Sequence, residues 1–262
     1  MVKTWKTIAG FVAVTAALST CGAVMVSGLP LPTEEKPLRA TPVASTSDAS
    51  AASGAPDPDV VVGSTKHKSG KHIALTFDDG PDPTWTPQVL DLLVRYDATA
   101  TFCLVGTNAR AHPDLVREIV YAGHVLCDHT MHHDENLRDE PVGDREAEIT
   151  DCLDAILAAV PDAQVPYFRA PEGRFSPSGD PDPDSVQHIA ARNGMQPLAW
   201  SIDTEDWTLP GEDAVVAKVT QAGDDDVVLL HDAGGDRQET LGALERLLPW
   251  LVDQGYEFDV PA

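Results

Sequence analysis

The sequence has few basic residues and no apparent repeat. It contains 18 Lys and Arg against 42 Asp and Glu, a formal net charge of −24, and most of the acidic excess follows residue 70. Such a surface repels phosphate backbones, which argues against nucleic-acid binding. A neutral or cationic polymer is an easier partner than an anionic one. No fixed-period repeat is apparent along the chain.

Cysteine is also scarce, which limits the chemistry that thiols can supply. Apart from Cys21, the chain has Cys103, Cys127 and Cys152. An odd number allows at most one internal disulfide and leaves one free thiol. No C-x-x-C pair is present, so a thiolate zinc site is not expected. Cys103 and Cys127 lie in apolar, strand-like runs, and we interpret them as small core residues.

The first 70 residues have the composition of an export segment followed by a linker. Lys3 and Lys6 precede an uncharged stretch over residues 8–26, and the LSTC segment ending at Cys21 is similar to a lipoprotein attachment site. Residues 1–29 are therefore predicted to be a signal peptide or a membrane or lipid anchor. Residues 30–70 are rich in Pro, Ala, Ser and Thr, which predicts a disordered linker. Each alternative places the folded domain, residues 71–262, outside the cytoplasm or at the cell surface.

Strand-like and helix-like segments alternate from Lys71 to the end of the chain. Most of the strand candidates are apolar almost throughout, as strands covered on both faces should be. This alternation predicts an α/β fold with a parallel sheet, either open and doubly wound or closed as a barrel. The seven strand candidates cover residues 72–77, 98–106, 124–130, 166–171, 196–203, 227–232 and 256–260.

Polar residues occur where these predicted strands end. In barrels and in open α/β sheets alike, the carboxyl ends of parallel strands converge on the active-site rim. Acids and histidines from distant segments should therefore meet at one end of the fold. The residues concerned are Asp78, Asp79, His129, Arg169, Asp203 and His231.

Each of these features also has an ordinary structural explanation. The adjacent acids Asp78 and Asp79 could belong to a solvated turn, and the pair His129 and His133 could lie on a surface. Alternatively, one helical turn would place both imidazoles on the same side, where they could bind one divalent metal. Asp79 would then be the natural third, anionic ligand.

The remaining three features are equally ambiguous when taken alone. Arg169 could form a surface salt bridge worth less than about 1 kcal/mol, or it could lie beside Asp78 and keep that acid ionised. A lone histidine at the end of a buried strand, such as His231, is more often structural than catalytic. The segment DTEDW, residues 203–207, could be a solvated turn.

Taken together and in this order, five segments resemble the motifs of the polysaccharide deacetylases, carbohydrate esterase family four. They are TFDDG, HTMHH, RAPEG, DTEDW and LLH, which begin at residues 76, 129, 169, 203 and 229. The resemblance spans residues 71–262. It implies a distorted (β/α) barrel with fewer than eight complete strands, which agrees with the seven candidates counted above.

The resemblance also implies a metal centre and a general base. Asp79, His129 and His133 look like the metal ligands, and Asp78 looks like the base. Zn²⁺ is the expected ion, with Co²⁺ as a second candidate. Such an ion would polarise the acetyl carbonyl and activate water.

The remaining motif residues are expected to hold the reacting groups in place. Arg169 would contact Asp78, and Asp206 would orient His231, the general acid for the departing amine. The backbone N–H of Glu172 would donate to the oxyanion, although its carboxylate departs from the family pattern and should point to solvent or meet a cation. Trp207 and Leu229 would wall the acetyl pocket.

The function expected from this resemblance is removal of N-acetyl groups from GlcNAc units in chitin, its oligomers or peptidoglycan. The partner would be an acetylated glycan and the protein would act as a monomer. Two alternatives stay open: an acetylxylan esterase, since the same site can cleave O-acetyl esters, and an inactive relative that binds glycan without cleaving it.

Overall fold

The computed structural model describes residues 55–67, 69–177 and 182–262. The predicted signal or anchor segment and most of the predicted linker lie outside these ranges. Within them, no helix combines the length and the apolar character needed to span a bilayer.

Eight parallel strands form one sheet in the order β5-β4-β3-β2-β1-β7-β6, with β8 pairing onto the start of β1. Among the described residues, seven helices and three short 3-10 turns connect the strands. The strands are β1 His72–Asp78, β2 Ala100–Leu104, β3 Val125–Asp128, β4 Tyr167–Phe168, β5 Gln196–Pro197, β6 Ile202–Asp203, β7 Asp226–His231 and β8 Glu257–Phe258. The helices are α1 Thr86–Arg95, α2 Gly106–Ala111, α3 Pro113–Tyr121, α4 Val142–Ala159, α5 Val186–Arg192, α6 Glu212–Val219 and α7 Gln238–Asp253.

The sheet is the centre of the core because its middle strands are covered on both faces. All seven residues of β1 are buried, and so are all five of β2. Helix α7 buries Leu241, Leu244, Leu248 and Leu251 along one face, which is the spacing expected of an amphipathic helix. The predicted fold class, an α/β distorted barrel, is confirmed.

One strand candidate, residues 196–203, is two strands rather than one. Its start is β5, which pairs with β4, and its end is β6, which pairs with β7. These two short strands lie at opposite ends of the sheet order. Residues 198–201 therefore cross from one sheet edge to the other, and the apolar character that predicted a single strand comes partly from Leu198, which is buried in this crossing.

The packed chain begins before Lys71, the expected start of the domain. Val62 is buried and exchanges backbone hydrogen bonds with the chain beside β5, donating to Pro197 at 2.8 Å and accepting from Ala199 at 2.7 Å. Thr65 bridges to Pro261 near the C-terminus. The last part of the stretch expected to be linker is thus paired with the domain.

Cys103 and Cys127 are buried in the core, as expected, and they form the one internal disulfide that the number of cysteines allows. The two residues lie opposite each other in the register of β2 and β3, and the sequence alone could not give that register. The bridge closes a separation of 24 residues, for which loop-closure entropy gives roughly 3 kcal/mol of stabilisation. Cys152 is a buried free thiol.

Candidate active site

The carboxyl ends of β1, β3, β4 and β7 surround a cavity of about 530 Å³. The convergence follows from parallel pairing: Asp78 and His231 are direct partners in the register of β1 and β7. Arg169 and Asp206 are wholly buried behind the wall. Eight predicted site residues line the cavity, namely Asp78, Asp79, His129, His133, Glu172, Trp207, Leu229 and His231.

His129 is fixed in one orientation directly after β3. Its Nδ1–H donates to the carbonyl oxygen of Arg169 at 2.8 Å. Because a carbonyl can only accept, Nε2 has the lone pair and can bind a metal. Nε2 lies 3.7 Å from Asp79 Oδ1. Burial lowers the pKa of His129, and the charges of Asp78 and Asp79 oppose this only in part. The lowered pKa favours the neutral ring, which is the form that binds a metal.

His133 reaches the same place through a loop, so the expectation of a helical turn is wrong. Residues 129–133 are not helical, and Thr130 and His133 have φ of 67° and 58°. Thr130 N–H donates to Asp128 Oδ1, and His133 N–H donates to Thr130 Oγ1. These two local hydrogen bonds fold the loop back, so that His133 Nε2 lies 3.5 Å from Asp79 Oδ1.

Asp79 completes a cluster of three potential ligands. Its backbone carbonyl accepts from Asn108 Nδ2 at 2.8 Å, and its side chain lies against Gly234. A Cβ at Gly234 would lie 2.3 Å from Asp79 Oδ2, so any larger residue would displace the carboxylate. The donor atoms of Asp79, His129 and His133 lie within 4.8 Å of one another. One anionic oxygen and two imidazole nitrogens suit a divalent metal with room for further ligands. That these residues bind a metal remains a prediction.

Asp78 is held by the buried guanidinium of Arg169. Arg169 has no exposed surface, so the alternative of a surface salt bridge is wrong. Its Nη1 donates to Asp78 Oδ1 at 2.6 Å and to Thr76 Oγ1 at 2.9 Å, and its Nη2 donates to the Ala199 carbonyl at 3.1 Å. The guanidinium lies 5.5 Å from the centre of the Trp200 ring. Asp78 Oδ2 lies 3.6 Å from His129 Nε2, beside the cluster.

His231 ends β7 at the cavity wall and is paired with Asp206. Its Nδ1–H donates to Asp206 Oδ1 at 2.7 Å, and its backbone N–H donates to Oδ2 at 2.9 Å. Thr204 and Thr240 hydroxyls donate to the same carboxylate. Burial lowers the pKa of His231, but the hydrogen bond and charge of Asp206 outweigh it, so the pKa lies above its ordinary value. Burial raises the pKa of Asp206, but these hydrogen bonds lower it overall.

The three residues expected at the substrate lie on the cavity wall. Glu172 is in the 3-10 turn Pro171–Gly173 with φ of 54°, and its side chain is exposed. Leu229 is buried two residues before His231 on β7, so both side chains point to the same face of the strand. Trp207 is 53% exposed at the rim.

Sequence reasoning missed several residues in and behind the wall. Arg237 lines the cavity although it is almost wholly buried, and its Nε donates to the Ala233 carbonyl. Asp232 is buried behind His231, accepts a hydrogen bond from Thr86, and has its pKa raised by burial to about 7. The sequence signal for Arg237 is its place in the segment AGGDR, residues 233–237, where a charged residue closely follows two glycines.

Fold and site together form an α/β barrel with one cavity that gathers an arginine-held carboxylate, a cluster of one Asp and two His, and an Asp–His pair. The family described as polysaccharide deacetylase matches residues 65–197. The chain belongs to that family, which confirms the family and the enzyme class predicted from the five motifs.

Proteins similar to this chain are named as deacetylases or as carbohydrate esterases. A peptidoglycan-N-acetylglucosamine deacetylase of Bacillus cereus is 42% identical over 193 residues, covering 72% of this chain and 85% of that protein. A chitooligosaccharide deacetylase of Sinorhizobium fredii is 38% identical over 195 residues, covering 70% and 87%. A family 4 carbohydrate esterase from Streptomyces lividans, solved in complex with acetate, superposes with a TM-score of 0.64 at 28% identity, covering 72% and 91%.

Proposed function

We propose that this protein is a metal-dependent hydrolase that removes N-acetyl groups from GlcNAc units of chitin, chitooligosaccharides or peptidoglycan. The observation that carries the proposal is one cavity in which an arginine-held carboxylate, a cluster of one Asp and two His, and a histidine–aspartate pair face one another. The names of the Bacillus and Sinorhizobium relatives supply the substrate classes.

Asp79, His129 and His133 would hold the metal, with Zn²⁺ the first candidate and Co²⁺ the second. Two neutral imidazoles and a carboxylate are a common donor set of hydrolytic zinc sites. When bound, the ion would supply Lewis-acid polarisation of the acetyl carbonyl and acidify water.

Asp78 would act as the base. Arg169 occupies its Oδ1, which leaves Oδ2 to accept a proton from a water molecule in the cavity. Because Arg169 is itself fixed by Thr76, Ala199 and the Trp200 ring, the carboxylate keeps one orientation. A positioned base of this kind contributes about 10²–10⁴ in rate.

His231 would give the departing amine its proton. Asp206 binds Nδ1–H, so Nε2 is the ring nitrogen that can exchange a proton with a group in the cavity. The raised pKa favours the imidazolium, which is the form that can act as an acid. Thr204 and Thr240 hold Asp206 in place.

The acetyl group would sit between Leu229, Trp207 and the Glu172 backbone N–H. The N–H would donate to the developing oxyanion. The Glu172 side chain is exposed, so its charge can be solvated by water rather than oppose the reaction.

The charge of the chain favours a neutral glycan. At a net charge of −24, chitinous substrates should be repelled less than anionic peptidoglycan.

We further propose that the protein acts outside the cell or at its surface, as a monomer, with the N-terminal segment as signal or tether.

The test is acetate release from chitooligosaccharides, peptidoglycan and acetylxylan, measured side by side with and without a chelator. We expect release from one or both GlcNAc polymers and loss of release with the chelator. Release from acetylxylan alone would identify an esterase instead. Glycan binding by the metal-loaded protein without release from any of the three polymers would identify an inactive binding protein.

Replacing His133 with alanine should reduce metal occupancy, because one of three protein donors is lost. Elemental analysis after dialysis against a fixed zinc concentration measures the effect. His132→Ala is the matched control, since His132 is the exposed neighbour whose ring contacts Glu148 at 2.6 Å. Equal metal content in the two variants would contradict the ligand role of His133.

A further inference from the structure

A second cluster of two histidines and an aspartate lies far from the catalytic cavity. His67, His72 and Asp259 each offer a ligand atom within 4.8 Å of the others. His72 is the first residue of β1 and Asp78 the last. Six steps along a strand of about 3.3 Å each separate the two clusters by roughly 20 Å. The second cluster is therefore independent of the site described above.

The three side chains are brought together by backbone pairing of three segments. Asp259 N–H donates to the Ile73 carbonyl at 2.9 Å, which places Asp259 beside the start of β1. His67 N–H donates to Asp259 Oδ2 at 2.8 Å, which brings the N-terminal segment to the same point. The rings of His67 and His72 then lie 5.2 Å apart, inclined by 30°. The cluster joins the two terminal segments of the domain to its central strand.

One hydrogen bond of the cluster leaves a ring lone pair for a metal, and another joins two of the proposed ligands directly. His72 Nε2–H donates to the Ser69 carbonyl at 2.8 Å, so His72 Nδ1 has the lone pair. This is the arrangement in which a backbone carbonyl orients a histidine ligand. His67 Nδ1 lies 2.8 Å from Asp259 Oδ2, a contact that needs a proton when no metal is bound.

The surroundings suit a small cation with an open side. His72 and Asp259 are buried, whereas the side chain of His67 is 62% exposed. An ion can therefore enter from solvent at His67, and water can complete its coordination. Burial raises the pKa of Asp259, but hydrogen bonds from His67 and Val260 lower it overall. The carboxylate is thus available as an anionic donor.

We propose that His67, His72 and Asp259 form a second, structural zinc site that fastens both terminal segments of the domain to β1. Imidazole and carboxylate donors favour Zn²⁺ among the common divalent ions. Zinc bound at His67 Nδ1 would replace the hydrogen bond to Asp259 Oδ2, and the ring would carry its proton on Nε2 instead. The site raises stability because only the folded chain brings the three donors together.

The test uses the folded chain with its catalytic ligands removed by His129→Ala and His133→Ala. The number of zinc ions bound per chain is measured, and the midpoint of thermal unfolding is compared in the presence of Zn²⁺ and of Mg²⁺. We expect this double variant to retain one zinc equivalent and to gain thermal stability from Zn²⁺ but not from Mg²⁺. Adding His67→Gln or His72→Gln should weaken that binding by at least about tenfold, whereas adding His112→Gln, a remote histidine at the start of α3, should not.

Two variants keep the result interpretable. His72 is buried, so His72→Gln could disturb the fold, but His67 is exposed and His67→Gln should not. Acetate release by His67→Gln in the otherwise native chain should be unchanged, since the cluster is remote from the cavity. The proposal would be overturned if the His129→Ala, His133→Ala variant bound no zinc, or if its zinc equivalent survived both His67→Gln and His72→Gln. The cluster would then be a set of hydrogen bonds without a metal.

Discussion

Asp78→Asn should lower the turnover number by about 10²–10⁴, the usual contribution of a positioned base, while the metal stays bound. Asparagine keeps an oxygen that can accept the hydrogen bond from Arg169 Nη1, which is 2.6 Å long in the native site. The fold around Arg169 should therefore survive. What is lost is the ability of Oδ2 to take a proton in the cavity.

Turnover on an acetylated chitooligosaccharide and metal content by elemental analysis should be measured on the same sample. Asp91→Asn is the matched control, because it makes the same charge change at an exposed position of α1. Turnover at the native rate in Asp78→Asn would show that the base is another group. Loss of metal together with turnover would show that Asp78 acts through the metal cluster rather than as a base.

The gathering of the site could be predicted because parallel strands end together. Asp78, His129, Arg169 and His231 each follow or end an apolar run, and the carboxyl ends of such runs meet whether the sheet is open or closed. Local sequence was sufficient to predict this convergence. The direct pairing of Asp78 with His231 also depends on strand order and register.

Features that depend on register or on loop conformation could not be predicted in the same way. The disulfide requires Cys103 and Cys127 to lie opposite each other on β2 and β3, and nothing local fixes that pairing. The approach of His133 to Asp79 depends on left-handed backbone at Thr130 and His133, a conformation that is uncommon outside glycine and least expected for a β-branched residue such as Thr130.

The pairing of the early segment with the barrel was missed for a different reason. Pro, Ser, Gly and Asp surround Val62, and this composition is typical of a linker. Two backbone hydrogen bonds, to Pro197 at the end of β5 and from Ala199, hold Val62 beside the sheet. Val62 is buried there in a cluster with Cys103, Cys127 and Leu198. The sequence predicts one continuous strand over residues 196–203, so it gives no sign that backbone groups of Pro197 and Ala199 are available to pair with the early segment.

Asp206 accounts for both the orientation and the acidity of His231. The carboxylate is wholly buried and accepts four hydrogen bonds, two of them from His231. With only donors around it, an amide in its place would turn an N–H toward another donor. The imidazole would then lose its Nδ1 partner and the negative charge that raises its pKa.

Asp206→Asn should therefore lower turnover by about 10²–10⁴ and move the alkaline limb of the pH–rate profile to lower pH. The sign follows from the role: a general acid must be protonated, and removing the charge that raises the pKa of His231 makes it lose its proton at lower pH. Asp203→Asn is the control, because Asp203 lines the same cavity but bonds the Glu205 N–H instead of His231. If the alkaline limb stays in place in Asp206→Asn, His231 is not the proton donor. Among the described residues, Asp206 is the only carboxylate that the imidazole contacts by a hydrogen bond, so the loss of its charge should shift a limb that His231 sets.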